Sequence, residues 1–200
     1  GAFGKQEGTV LIKGQPVDIS TPFKAVKNGI AFIPEERRKE GIIISESVGT
    51  NLSLATLKNH SKAMTLINHA SENKAAEKKV DELKIKTPSI NQIVGLLSGG
   101  NQQKVTIGKW LDSGADIYIF DEPTKGIDVG AKAEVYRLIV ELARQGKAII
   151  YASSEQSEIM SLTDRVYVMY NGQIQGELMT PDTDEAELLL YSTGGKQSEK

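Results

Sequence analysis

Residues 117–120, Ile-Tyr-Ile-Phe, form an unbroken apolar run that stops on two adjacent carboxylates, Asp121 and Glu122. Such a run is a strand buried on both faces, and strands of that kind belong to parallel sheets, whose ligands gather at the strand C-terminal ends. The flanking sequence alternates accordingly. "IAFIP" at 30–34 is a short buried strand, and the apolar run sits inside a strand over 116–123. An amphipathic helix over 131–145 follows, with Val135, Leu138, Ile139 and Leu142 on one face and Gly146 as its stop. A strand over 147–154 and a short helix around 156–162 come next. "DRVYVMYNGQIQGEL" then makes two strands joined through Asn171-Gly172, a type I′ hairpin signal. This order predicts an α/β fold with a mostly parallel sheet covered on both faces.

The N-terminal half reads differently. "GTVLIKGQPVDI" at 8–19 is a small antiparallel hairpin or meander broken at Gly14, and a helix capped by Thr21, with Pro22 in its first turn, ends at Asn28-Gly29. Residues 48–113 are helical in pattern, interrupted at Thr87-Pro88. Their middle stretch is dominated by Lys, Glu and Ala, which predicts an appended helical lobe. The expected division is 1–47 (antiparallel part, incomplete core), 48–114 (helical subdomain), 115–191 (α/β core) and a polar tail over 192–200. The charged segment "EERRKEG" at 35–41 reads most simply as a solvated loop.

Composition removes several classes of function. With 24 Lys and Arg against 26 Asp and Glu, nothing electrostatic draws the chain toward nucleic acid. Absence of cysteine excludes disulfides, thiolate metal sites and cysteine nucleophiles. His60 and His69 lie in a polar stretch and make a poor metal cluster. No segment has the roughly 18 apolar residues of a membrane span, and the N-terminus is not a signal peptide, so a cytoplasmic protein is expected.

Two motifs carry chemistry. Strand side chains alternate, so Asp121 and Glu122 are expected to point in different directions, one toward Mg²⁺ and the other toward a reacting water, as phosphoryl transfer requires. In "LSGGNQQK", Ser98 is a natural N-cap, and Gly99-Gly100 leave backbone N–H groups unobstructed at the positive end of a helix dipole.

Together these strings resemble ATP-binding cassette (ABC) ATPases. "LSGGNQQK" is similar to their signature, and "IYIFDEPTKGIDVGAK" to their Walker B strand, catalytic glutamate and D-loop. The spelling resembles the second cassette of bacterial importers of ribose, galactose and arabinose type. The resemblance implies a P-loop NTPase-like cassette fragment with ATP and Mg²⁺ as ligands. Asp121 would hold the ion through water, Glu122 would polarise the attacking water, and Asp128 would speak to the opposite site. Ser98, Gly99, Gly100 and Gln102 match signature positions that meet the γ-phosphate of a nucleotide held by another cassette, head to tail. A transmembrane permease is the implied partner, docked near Glu35–Gly41, with Arg37, Arg38 and Lys39 as candidate contacts. The protein would lie peripherally on the cytoplasmic side of the bacterial inner membrane.

The sequence also departs from the pattern. Glu35 stands where most cassettes have glutamine, and Ser153-Ser154-Glu155 puts Ser154 where most have the switch histidine. No Gly-Lys pair is followed by Ser or Thr, so no P-loop is spelled. The resemblance places that motif before residue 1, with Gly1-Ala2 at the end of its helix, and implies a fragment inactive by itself. A soluble cassette of DNA repair or translation type is the alternative; those relatives carry long coiled-coil insertions or basic linkers, and neither is present.

Overall fold

The computed structural model describes residues 7–62 and 66–195; the expectation for Gly1-Ala2 lies outside them. The chain divides into two compact units, Gly1–Ile150 and Tyr151–Lys200. The boundary falls inside the 115–191 stretch.

In the first unit, β1 (Val10–Ile12) and β2 (Gln15–Val17) pair antiparallel with Ile12 opposite Gln15. Lys13 and Gly14 between them both have positive φ, as a two-residue primed turn requires. Helix α1 (Pro22–Lys27) is capped by Thr21, whose hydroxyl accepts from Lys24 N–H at 3.3 Å. Strand β3 (Ile30–Ile33) follows, and then α2 (Val48–Ser53) with a 3₁₀ extension over Leu54–His60. A short ribbon of β4 (Ser61–Lys62) and β5 (Leu66–Ile67) precedes α3 (His69–Glu82), capped by Asn68. Helix α4 (Gly99–Leu111), strand β6 (Ile117–Asp121), helix α5 (Val129–Arg144) and the beginning of strand β7 (Ala148–Ala152), whose last two residues fall in the second unit, complete the run. Val48, Leu52, Ala76, Leu83, Val94 and Val105 form a buried helical core, with Leu138 of α5 packed against it.

The sheet order is β3-β6-β7, and β3 runs parallel to β6 with Phe32 beside Ile119 and Ile33 beside Phe120. Alternation sends Ala31, Ile33, Tyr118 and Phe120 to a fully buried face. There Tyr118 and Phe120 stack, and the Tyr118 hydroxyl donates to the Trp110 carbonyl at the end of α4. The other face is open, against the expectation of cover on both faces but in line with the incomplete core expected of 1–47: Phe32 is 43% exposed and Ile150 54%. Two-sided apolarity marks strands made to be enclosed, yet among the described residues helix cover reaches these two side chains only in part.

The second unit contains α6 (Gln156–Leu162), β8 (Arg165–Tyr170), β9 (Gln173–Met179) and α7 (Glu185–Ser192). The β8–β9 hairpin turns through Asn171 and Gly172, both at positive φ, as their spelling predicts. Helix α7 had no expectation attached to it. Asp184 caps it, accepting from Glu187 N–H at 2.8 Å, and Leu188 and Tyr191 join Ile159 and Val168 in a small core. A Cβ at Gly176 of β9 would stand 2.8 Å from the Tyr191 ring, so that strand position must be glycine for the helix to sit down.

An open apolar sheet face promotes association. Phe32→Lys should lower the self-association of the chain in light scattering and change unfolding stability by no more than about 0.5 kcal/mol. Phe120→Ala, on the closed face, should cost about 3–5 kcal/mol in urea unfolding.

Candidate nucleotide-facing site

Strand β6 delivers Asp121 at its last residue, and the chain then leaves the sheet at once because Glu122 adopts a left-handed backbone, φ +44°. The expected strand over 116–123 therefore stops early. Strand alternation therefore does not carry through Glu122. A non-glycine residue held there is strained, and strain of this kind collects at functional positions.

Asp121 titrates above the ordinary carboxylate range, first because it is partly buried and then because Glu35, Glu122 and Glu40 add negative charge around it. Glu35 forms an ion pair with Lys125. Three carboxylates around a fourth make a place that a cation would relieve. Yet no group of three or more metal-ligating side chains is arranged to hold an ion directly, among the described residues. The fit is with Mg²⁺ held by one carboxylate and otherwise by water, a form that ion favours.

Helix α4 begins at Gly99, with Ser98 as its N-cap residue. The Ser98 carbonyl accepts from Gln102 N–H at 2.9 Å. The hydroxyl does not cap the helix as expected, because it accepts from Asn101 Nδ2 at 2.9 Å. Asn101 Oδ1 in turn accepts the Lys86 N–H at 2.8 Å, so this side chain ties the loop before α4 to the residue that opens it. Gln102 faces inward and is 1% exposed. Its Nε2 donates to the carbonyls of Leu97 at 3.0 Å and of Val94 and Gly95 at 3.3 Å, which organises the preceding loop. A ligand-facing Gln102 does not agree with that placement; Asn101 is the residue at the surface. Position in the string did not distinguish the two.

The glycines have a packing reason beyond an open helix end. A Cβ at Gly99 would lie 2.9 Å from both Arg37 Nη2 and the Gly126 carbonyl oxygen, and one at Gly100 would lie 2.5 Å from Ala131 Cβ. The start of α4 is thus pressed against the turn after Glu122 and the first turn of α5. Asp128 caps α5, its Oδ1 accepting from Ala131 N–H at 2.9 Å. Between the two helix starts lies a polar cleft of about 220 Å³, lined by Ser98, Gly100, Asn101, Asp128, Lys86 and Lys104. Lys104 is engaged by the Lys84 carbonyl and by Glu134.

The charged segment 35–41 is not simply solvated. Residues Arg37–Gly41 form a wide helical turn with Gly41 buried. Arg37 donates to the carbonyls of Lys125 at 2.7 Å and Gly126 at 3.1 Å, so its fork is engaged within the chain. Arg38 and Lys39 remain exposed, with Lys39 paired to Glu36. Ser154 belongs to the second unit, exposed after β7; its neighbour Ser153 donates to buried Glu158, which also receives the Tyr151 hydroxyl at 2.6 Å. The structure thus brings Glu35, Asp121, Glu122, Ser98, Gly99, Gly100 and Asp128 into one unit. Of the histidines, His69 pairs with Glu72 and His60 with Ser71, away from these carboxylates in the chain's helical part.

A central strand that ends on Asp121, beside a helix whose glycines open onto a polar cleft, is the architecture of a cassette ATPase fold. Residues 1–125 match the protein-family profile described as ABC transporter, and the chain belongs to that family. It is 42% identical over 192 residues to the ribose import ATP-binding protein RbsA of Clostridium tetani, covering 96% of this chain and 38% of that protein. It is 45% identical over 197 residues to the xylose import ATP-binding protein XylG of Thermoanaerobacter pseudethanolicus, covering 98% and 39%. With the arabinose import ATP-binding protein AraG of Pectobacterium atrosepticum the identity is 43%, covering 94% and 38%. The chain therefore spans about two fifths of the length of these curated relatives. A nucleotide-free ATP-binding cassette from an ABC transporter superposes with a TM-score of 0.71 at 21% identity, over 88% of this chain and 71% of that one. At that identity the likeness shows the fold alone.

Gly100→Ala should cost about 1–2 kcal/mol net, since overpacking against Ala131 outweighs the helix propensity gained, and adding Ala131→Gly should recover most of the loss in thermal unfolding. Asp121→Asn should stabilise the fold at pH 7. The folded value lies above the unfolded one, so ionisation opposes folding; this penalty is present above the folded value and vanishes where both states are protonated. The gain in urea midpoint should accordingly disappear in strong acid.

Proposed function

We propose that this chain is part of the ATP-hydrolysing subunit of an ABC importer for sugars. The observation that carries this reading is its 42–45% identity, over nearly its whole length, to ATP-binding proteins named for ribose, xylose and arabinose import. In the proposed role the cleft at the start of α4 meets the phosphate of an ATP held by a second cassette, paired head to tail. Ser98, Gly99 and Gly100 present helix-start N–H groups to it. Asn101 takes the position that the sequence had suggested for Gln102.

On its own side the chain contributes Asp121, which would hold Mg²⁺ through water, and Glu122, which would polarise the attacking water; the ion, when bound, would neutralise phosphate charge. Glu35 and Ser154, standing where cassettes usually have glutamine and histidine, fit a weaker site, because serine cannot relay a proton or carry positive charge as histidine does. Asp128 would address the opposite site. The permease contact is assigned to the exposed side of Glu35–Gly41, where Arg38 and Lys39 are available. No described helix is long and apolar enough to cross a membrane, which accords with peripheral attachment through that permease on the cytoplasmic side. The chain by itself, with no P-loop in its sequence, is assigned no turnover of its own.

The test is transport and ATP hydrolysis by the full-length protein with its permease. Ser98→Arg should abolish both, by about 10²-fold or more, because a long cation fills the phosphate approach. Glu122→Gln should cost less. Equal losses would overturn the assignment of a strong signature and a weak local site.

A further inference from the structure

Arg37 sits in the charged segment yet is engaged by the chain's own backbone, at a partly exposed position. Its two terminal nitrogens donate to consecutive backbone carbonyls, Lys125 at 2.7 Å and Gly126 at 3.1 Å. The same guanidinium lies beside Gly99, where a Cβ would come within 2.9 Å of Nη2. Its Nε is buried with no hydrogen-bond partner. The acceptors are neutral carbonyls, and neighbouring Glu36 offsets the charge of the guanidinium in part. Leaving a buried Nε unpartnered costs free energy, and the two bonds to consecutive carbonyls are what is set against that cost.

The turn it grips is the one that leads from Glu122 to Asp128. Lys125 N–H closes it onto the Glu122 carbonyl at 3.1 Å, and Gly126 has φ +68°. The ion pair of Glu35 with Lys125 fastens the same turn from its side-chain face. We propose that Arg37 is a positioning residue that fixes the turn 125–126 against Gly99, and through it the spacing between the signature glycines and the Glu122–Asp128 segment. A planar fork with two parallel N–H groups suits two consecutive carbonyls, whereas a lysine offers one point charge on a flexible stem. The consequence for turnover rests on the ATPase reading above.

The test is made in the full-length protein with Arg37→Gln, Arg37→Lys and Gly99→Ala, each checked for folding by thermal unfolding. Amide exchange over 123–128 should quicken about tenfold or more in Arg37→Gln and nearly as much in Arg37→Lys, with exchange over 69–82 unchanged. Gly99→Ala should quicken the same stretch too, since its Cβ would press on both the guanidinium and the Gly126 carbonyl, so Arg37→Lys decides the matter if Arg37→Gln does not fold. Turnover should fall by about tenfold or more in both Arg37 variants, with KM for ATP held within about twofold. Wild-type exchange over 123–128 in the folded variants overturns the clamp. Quickened exchange with wild-type turnover overturns its positioning role. A wild-type protein that hydrolyses no ATP removes the ATPase reading instead, and exchange still decides the clamp.

Discussion

Everything at the site depends on how closely two backbones approach where α4 begins. A hypothetical methyl group at Gly100 would stand 2.5 Å from Ala131 Cβ, and one at Gly99 would meet the Gly126 carbonyl at 2.9 Å. Removing side chains from both positions lets a helix start, a turn and a second helix start share one small volume. That convergence brings two helix starts to the walls of one cleft. Gln102 and Asn101 then hold the arrangement from opposite sides, one bonded to the carbonyls beneath the loop and the other to Ser98 and the Lys86 amide.

The sheet edge supplies the complementary constraint. Glu35, Glu40 and Glu122 all oppose the ionisation of Asp121. Lys125 relieves one of these by pairing with Glu35, and its own ammonium is held more firmly protonated as a result. The site as folded stores repulsion that a divalent ion would discharge. Stability and ligand affinity therefore pull against each other at Asp121, a common bargain at functional carboxylates.

Much of this was legible in the sequence because it rests on local chemistry. Asn171-Gly172 fixes a hairpin by its φ preferences, Thr21 and Asp128 cap helices, and the apolar run before Asp121 is a strand wherever it is placed. What could not be read depends on long-range partners. Arg37 in a run of charges looks solvated, since the carbonyls that receive it lie some ninety positions further along. Gln102 and Asn101 are chemically similar neighbours, and only helix phase decides which faces inward. Strand burial was overestimated for a related reason: Phe32 is as apolar as Phe120, but enclosure depends on which elements lie above each face. Helix α7 escaped notice because its short apolar face follows a polar stretch, although Asp184 marks its start.

Arg37 binds main-chain oxygen, which every residue type supplies in the same place. The clamp consequently recognises the path of the turn and is blind to the side chain at position 125. Lys125, freed from that duty, can answer to Glu35 alone, and the two can change together as a charge-matched unit while the guanidinium keeps its hold. Shape and charge at this corner of the molecule thus rest on different atoms of the same turn, main-chain oxygens for the guanidinium and one side chain for Glu35.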